Sequence, residues 1–215
     1  MKKLNIVTAL ALVLMLLMAC NKNKELTIIQ GVILIGNQTW TIKNLDVTTY
    51  KNGEAIPQVQ DSTWGTLTTG AWCYYENNTD NGTTYGKLYN WYAVNDPRGL
   101  APNGYHIPTD TEWITLTTYL GGYSVAGGKM KEAGTWHWLS PNTGATNSSS
   151  FTALPGGYRY YDGGFAGIGA YGGWWSSSED DTDNAWCRNL FSSLGSVYSY
   201  GDYKQNGFFV RCLRD

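Results

Sequence analysis

Thiols and imidazoles are the side chains of this chain that could bind a metal ion or act in nucleophilic catalysis. Beyond Cys20 in the N-terminal segment, they are Cys73, Cys187, Cys212, His106 and His137. A zinc site needs closely spaced ligands, but the chain has no C-x2-C pair and its histidines lie far apart. Neither histidine stands in a motif that would activate a nucleophile, and there is no G-x-S-x-G elbow. These residues therefore predict neither a zinc site nor a catalytic triad.

Carboxylates and amides offer two other kinds of chemistry. Glu179, Asp180, Asp181 and Asp183 could supply a glycosidase pair, but such a pair needs a cleft and a separation of about 5 to 9 Å. We interpret this run as a solvated loop. The segment Asn77–Asn81 offers oxygen ligands of the kind that calcium prefers, with Asn78 and Asp80 as candidates. Clusters of Asn, Asp and Gly are also ordinary turn chemistry, so a calcium site remains an alternative to a turn.

Aromatic rings are abundant, with 10 Trp, 16 Tyr and 5 Phe beside 26 Gly. Rings on loops of a rigid scaffold can stack on a ligand and present polar tips to it. The ligand-binding candidates are Trp136, Trp138, Tyr160, Tyr161, Phe165 and Tyr171. The alternative is that these rings hold their own loops in place. We expect at least one of Trp174 and Trp175 to lie in the core, because large rings dominate small cores.

The N-terminus reads as an export signal. Lys2 and Lys3 precede the apolar run Ile6–Leu17, and a small residue, Ala19, follows. Such a segment is typical of a secretory signal and is too short to span a bilayer comfortably. Leu17-Met18-Ala19-Cys20 resembles the lipobox of bacterial lipoproteins, so residues 1–19 are predicted to be removed and Cys20 acylated. Residues 20–26 would then tether the chain stably to a membrane; the alternative is an ordinary signal peptide.

The net charge of the chain restricts its partners, and the spacing of its residues predicts its secondary structure. The formal net charge is −2 and no basic block occurs, which argues against nucleic acid as a partner.

Thr109-x-x-Glu112 is a capping box that predicts a helix ending at Gly121-Gly122, and a second helix is expected over residues 85–94. A weaker helical turn is expected over 128–133. Two strands joined at Gly36-Asn37 are predicted within 26–46. Further strands are expected over 71–75, 151–154, 174–177, 185–190 and 208–213, and residues 156–173 read as a Gly-rich loop. Residues 27–215 are thus predicted to be one α+β domain.

Six motifs in a fixed order carry a family resemblance. They are Gly36-Asn37-Gln38-Thr39-Trp40, Asn44-Leu45, Tyr85-Gly86-Lys87-Leu88-Tyr89-Asn90-Trp91, Gly104-Tyr105-His106-Ile107-Pro108-Thr109, Trp174-Trp175-Ser176-Ser177-Ser178 and Gly207-Phe208-Phe209-Val210-Arg211-Cys212. Together they resemble the Fibrobacter succinogenes major paralogous domain, a family of Bacteroidetes-type surface and secreted proteins, over about residues 27–215. That family is similar in turn to the formylglycine-generating enzymes.

The resemblance implies a compact, loop-rich, C-type-lectin-like fold in which the N- and C-terminal strands lie close together. It also implies a disulfide between Cys73 and Cys212, with Cys187 buried or free. We expect Cys187 and Cys212 to lie on neighbouring strands of a terminal hairpin.

The same resemblance argues against catalysis. Formylglycine-generating enzymes oxidise a substrate cysteine with a copper ion held by two thiols five positions apart. Cys187 stands near the corresponding place, but Ser192 lies five positions further on. One thiolate and a hydroxyl do not supply the two-sulfur coordination that Cu(I) prefers. We therefore predict that the chain is not an enzyme and assign it no cofactor.

The leading hypothesis is a lipid-anchored envelope protein, at the outer membrane or cell surface, that binds a glycan or a partner protein through loop aromatics. Two alternatives stay open: a divergent oxidase of the formylglycine-generating type and a structural envelope domain.

Overall fold

Short strands and a few helices alternate through residues 31–215, the part of the chain that the computed structural model describes. The predicted signal segment 1–19, the lipid acceptor Cys20 and the tether 20–26 lie outside the described residues. The described part is a sheet-rich α+β structure with four helices. Among these residues no helix has both the length and the apolar character needed to cross a membrane.

One sheet joins the start of the described chain to its end. The strands β1 (Val32–Ile35) and β2 (Gln38–Thr41) form the predicted hairpin, whose turn places Gly36 at a φ of 63°. The sheet continues through β11 (Leu213–Arg214) to β5 (Tyr105–His106). Leu213 pairs with Trp40 on one side and His106 on the other, so the last strand lies beside β2 of the N-terminal hairpin and the two ends of the described chain are close together, as the resemblance implies.

A five-stranded sheet forms the second half of the structure. Its strands are β6 (Gly156–Arg159), β7 (Phe165–Ile168), β8 (Tyr171–Glu179), β9 (Asn184–Phe191) and β10 (Tyr198–Tyr203), arranged in the order β10-β9-β8-β6-β7. The expected strands over 174–177 and 185–190 are confirmed within β8 and β9. The sequence 156–173 was expected to be a loop and instead contains β6 and β7. A small third sheet pairs β3 (Trp72–Cys73) with β4 (Leu88–Tyr89).

The helices are α1 (Thr79–Tyr85), α2 (Trp91–Val94), α3 (Asp110–Tyr119) and α4 (Tyr123–Met130), with 3₁₀ turns at Ser62–Thr66 and Tyr75–Asn77. The capping box is confirmed: the hydroxyl of Thr109 accepts a hydrogen bond from the backbone of Glu112, whose carboxylate accepts from the backbone of Thr109. The expected turn over 128–133 overlaps the end of α4.

The helix predicted over residues 85–94 is confirmed only over its last four residues, which form α2. Gly86, at a φ of 84°, ends α1. The chain then enters β4, and the side chain of Asn90 caps the short helix α2 by accepting from Ala93. Two strand predictions also fail in part. At Thr152 a φ of 53° breaks the segment 151–154, and of the segment 208–213 only Leu213 lies in a strand.

Tryptophans fill the core. The rings of Trp40 and Trp113 lie 4.7 Å apart, and both pack against Phe151. Trp174 and Trp175 are fully buried, which confirms their expected core role.

A buried arginine joins three segments of the loop-rich structure, namely its own and the segments 41–44 and 151–152. The guanidinium of Arg211 donates to the carbonyl oxygens of Thr41, Phe151 and Thr152, and to the side-chain oxygen of Asn44. Burial lowers the pKa of Arg211 to about 9. Such contacts satisfy carbonyls that regular secondary structure leaves free.

A buried lysine acts in the same way. The ammonium of Lys131 donates to the carbonyl oxygens of Thr143, Phe191 and Leu194. It also lies 5.2 Å from the ring centre of Trp138. Lys131 therefore holds the chain before β10 against α4.

The cysteine predictions require correction. Cys73, Cys187 and Cys212 are free, buried thiols, so the disulfide between Cys73 and Cys212 is not formed. Cys73 lies in β3, within the core cluster around Trp40, whereas Cys212 belongs to a second cluster. Cys187 and Cys212 do not share a terminal hairpin, because Cys187 lies in β9 of the five-stranded sheet.

Candidate functional site

The five-stranded sheet carries a cleft of about 260 Å³, which we call the tyrosine cleft. Its lining consists of Tyr158, Tyr160, Tyr161, Tyr171, Phe191, Tyr200, Asp202, Tyr203 and Asn206. Seven of these nine residues are aromatic, and the other two are a carboxylic acid and an amide. Clefts of this kind, with apolar walls and a few convergent polar groups, are typical of ligand sites.

Strand register places these side chains together. In β10, Tyr200 and Asp202 are two positions apart and therefore point to the same face of the sheet. Tyr200 is paired with Cys187 of β9, and Phe191 of β9 is paired with Tyr171 of β8. Three neighbouring strands thus contribute one wall.

The rings meet mostly edge to face. Tyr158 lies 4.6 Å from Tyr160 at an interplanar angle of 65°, and 4.8 Å from Tyr171. Tyr161 and Tyr203 form a second pair, 4.9 Å apart at 64°. Because such contacts turn ring planes away from one another, these rings do not form one flat stack. Tyr160, Tyr161 and Tyr203 remain substantially exposed.

Asp202 and Asn206 supply the polar groups. The side-chain nitrogen of Asn206 donates to Oδ1 of Asp202 at 2.6 Å, and the backbone N–H of Tyr203 donates to the same oxygen. This contact fixes the orientation of the Asn206 amide, because only its nitrogen can donate. Asn206 is 3% exposed, and its own oxygen Oδ1 is buried with no hydrogen-bond partner.

Burial shifts the titration of the cleft. It raises the pKa of Asp202, although the hydrogen bonds from Tyr203 and Asn206 oppose the shift. Burial, reinforced by nearby Cys187 and Asp202, raises the pKa of Tyr200 to about 12. Burial also raises the pKa of Tyr171 well above its usual value. Both hydroxyls stay protonated at neutral pH, and the Tyr171 hydroxyl donates to the side-chain oxygen of Asn189.

Arg159 fixes the hairpin that presents Tyr160 and Tyr161. This buried side chain donates to the carbonyl of Gly163 within the hairpin and to the carbonyls of Val59, Gln60 and Asp61 outside it. A hairpin held in this way is pre-organised, which lowers the entropy cost of binding.

The structure brings together half of the predicted ligand residues. Tyr160, Tyr161 and Tyr171 line the tyrosine cleft. Trp138 does not line the cleft; it is 1% exposed and its indole N–H donates to the carbonyl of Ala153. Phe165 also lies outside the lining of the cleft, and its partly buried ring packs against Tyr75 and the guanidinium of Arg159. Trp136 is 87% exposed but does not line the cleft.

The calcium candidates have structural contacts. The side-chain oxygen of Asn78 accepts from the backbone of Asp80 and caps helix α1, and Asn81 donates to the carbonyl of Tyr75. This arrangement is the turn chemistry that was the alternative prediction. Within residues 31–215 no group of three or more His, Cys, Asp or Glu side chains is placed to hold a metal ion.

The surroundings of Cys187 do not fit a copper site. Its thiol is fully buried, donates to the carbonyl of Tyr200 and accepts from the side chain of Asn189. Burial raises the pKa of Cys187 and so disfavours the thiolate that a metal needs. Five positions further on, Ser192 offers a hydroxyl and not a second thiol.

Sequence reasoning missed six residues of the cleft. They are Tyr158, Phe191, Tyr200, Asp202, Tyr203 and Asn206. One signal was present: Tyr198-Ser199-Tyr200-Gly201-Asp202 alternates with the period of a strand, which predicts Tyr200 and Asp202 on one face. Asn206 had no comparable signal, since it lies in a turn after β10.

A larger groove of about 440 Å³ borders β2, and its lining includes Ile42, Leu45, Pro102 and Tyr105. Its lining contains one aromatic residue, Tyr105. The tyrosine cleft combines seven aromatic rings with Asn206, whose Oδ1 is a buried acceptor without a partner. We therefore take the smaller cleft as the candidate site.

Comparison with protein families gives one match. The family model described as the Fibrobacter succinogenes major domain matches residues 33–214. Comparison with curated proteins finds no match.

Proposed function

Since the chain belongs to the Fibrobacter succinogenes major domain family over residues 33–214, we propose that it is a recognition domain that binds a glycan in the tyrosine cleft. The supporting observation is the cleft itself, in which seven rings surround Asp202 and Asn206. Sugars are bound by ring faces that cover their C–H groups and by polar groups that accept from their hydroxyls.

The recognition is proposed to be non-catalytic. Asp202 is the single carboxylate of the lining, whereas glycoside hydrolysis ordinarily uses two. A thiol-based oxidation is disfavoured because the thiol of Cys187 is buried and paired. We further propose that the fold is C-type-lectin-like, on the motifs shared with the formylglycine-generating enzymes.

Display at the cell envelope completes the proposal. Acylation at Cys20 after removal of residues 1–19 would hold the domain at the outer membrane or cell surface. Mass spectrometry of the protein isolated from cells tests this step. A Cys20 that carries acyl chains supports it, and an unmodified Cys20 contradicts it.

Glycan arrays test binding. The full-length chain is expected to bind a subset of glycans, and the double variant Tyr160→Ala/Tyr203→Ala is expected to lose at least about tenfold in affinity, since losing an aromatic contact costs about 1 kcal/mol or more per ring. Tyr119→Ala is the matched control, because Tyr119 is 65% exposed on α3, outside the cleft.

Two results would contradict the proposal. One is an array without hits. The other is binding that Tyr119→Ala weakens and the cleft variant leaves unchanged.

A further inference from the structure

The charge of the tyrosine cleft points to a more specific ligand, if the glycan-binding function proposed above holds. We propose that the cleft selects a glycan that carries a free, protonated amino group, placed between the tyrosine rings and within reach of Asp202 and Asn206. An amino sugar without its acetyl group has this chemistry.

The first observation is a carboxylate without a cationic partner. None of the ion pairs formed within residues 31–215 involves Asp202, and the lining of the cleft contains no lysine or arginine. The titratable groups that Asp202 influences are Tyr158, Tyr171, Cys187 and Tyr200, and all four are uncharged in their protonated forms. A partly buried charge of this kind is stabilised by a ligand of opposite charge.

The second observation is the unpartnered oxygen of Asn206. Asn206 lines the cleft, and its Oδ1, which can only accept a hydrogen bond, is buried without a partner. Leaving such an acceptor unsatisfied costs about 1–3 kcal/mol. An ammonium group has three N–H donors, enough to reach both Asp202 and Asn206.

The third observation is the ring arrangement. A cation is attracted to the faces of aromatic rings within about 6 Å of their centres. Tyr158, Tyr160 and Tyr171 form one group of rings, and Tyr161 and Tyr203 form another, all lining the same cleft. An acetylated amine has no charge for these faces or for Asp202 to attract.

The test compares two oligosaccharides that differ only in acetylation. Calorimetry measures binding of the glucosamine trimer and of the N-acetylglucosamine trimer to the full-length chain. We expect the free amine to bind about tenfold more tightly or better, as a partly desolvated cation–π and charge contact allows. Asp202→Asn keeps the shape and the acceptor for Asn206, and it is expected to reduce the preference to within about twofold.

Controls separate charge in the cleft from charge nearby. Asp180→Asn removes an exposed acid whose carboxylate approaches Gly201 of β10 but does not line the cleft, so it should leave the preference intact. Tyr203→Leu keeps an apolar contact while removing the ring, and it should weaken binding of the free amine more than that of the acetylated trimer.

Three outcomes overturn the inference. If the acetylated trimer binds as tightly as the free amine and Tyr203→Leu weakens both, the cleft is a glycan site but not an amine site. If neither trimer binds and the glycan array also shows no binding, both this inference and the proposed glycan-binding function are contradicted. If a lysine-containing peptide binds through Asp202 while the glucosamine trimer does not, the amine belongs to a protein and not to a sugar.

Discussion

Asn206 donates its side-chain N–H to the carboxylate of Asp202 at 2.6 Å, while its own side-chain oxygen stays buried without a partner. Asp202 lies in β10 and Asn206 in the turn that follows it, and both line the tyrosine cleft. Both groups are less favourable in the folded protein than in water, because one is a partly buried charge and the other an unsatisfied acceptor. Such local costs are typical of binding sites, where a ligand supplies the missing contacts.

Replacing Asp202 by Asn should therefore not destabilise the protein. Burial raises the pKa of Asp202 in the folded state, so the folded state binds more protons than the unfolded state, and stability from this group is lost as pH rises from the unfolded pKa of about 4. We expect Asp202→Asn to be as stable as the wild type or more stable at neutral pH, and the difference to shrink in acid. Urea unfolding at several pH values measures this. Strong destabilisation at neutral pH would show that Asp202 has a structural role.

The Arg211→Lys substitution tests the buried arginine. A lysine ammonium cannot reach the four acceptors that the planar guanidinium contacts, including the carbonyls of Thr41 and Phe151. Because each abandoned buried acceptor costs about 1–3 kcal/mol, we expect a loss of about 3 kcal/mol or more in the free energy of unfolding. Arg98→Lys is the control, since the Arg98 side chain is itself 36% exposed and its partner Glu54 lies at the surface; a lysine keeps the charge, so we expect a loss of about 1 kcal/mol or less in the free energy of unfolding. Equal effects of the two substitutions would contradict the account of Arg211.

Lys131 gives a prediction that depends on pH. Burial lowers its pKa to about 8, so between about pH 8 and the unfolded pKa of about 10.4 the unfolded state binds more protons and stability rises with pH. We expect Lys131→Met to lower the free energy of unfolding by about 3 kcal/mol or more, because the carbonyls of Thr143, Phe191 and Leu194 lose their donor. The stability difference between wild type and variant should widen as the pH rises above 8, as measured by urea unfolding in matched buffers. A constant difference would rule out the pKa shift.

The thiols should be chemically silent in the folded protein. Burial raises the pKa of Cys73 and Cys212 to about 12, and the thiolate is the reactive form. We expect a thiol reagent to label none of Cys73, Cys187 and Cys212 until the chain unfolds. We also expect no change in melting temperature when a reductant is added. Loss of stability on reduction would show that a disulfide forms in solution.

Local signals in the sequence predicted the elements that depend on local contacts. Thr109 and Glu112 contact each other within one helical turn, and the hairpin at Gly36 needs only neighbouring residues. The helix predicted over 85–94 failed in part because Asn90 is buried and also accepts from the backbone of Ala71, a long-range contact that no periodicity records.

Only part of the candidate site could be predicted from the sequence, because long-range strand pairing brings its other residues together. Tyr160 and Tyr161 stood out as aromatic residues in a Gly-rich segment, and they do line the cleft. Asp202 and Asn206 join them only through the register of β10 on β9 and the order of strands in the sheet. Trp138 and Phe165 are aromatic residues of the same kind of segment, but Trp138 is buried against Lys131 and Phe165 is partly buried against Arg159.

The most direct test of the central claim, that the tyrosine cleft is the recognition site, is magnetic resonance of isotope-labelled tyrosine rings in the full-length chain. The glucosamine trimer is added until calorimetry shows saturation. We predict shifts at the rings of the cleft, Tyr158, Tyr160, Tyr161, Tyr171, Tyr200 and Tyr203, with Tyr119 and Tyr123 unchanged. Saturable binding that shifts only Tyr119 or Tyr123, or none of the cleft rings, would contradict the claim.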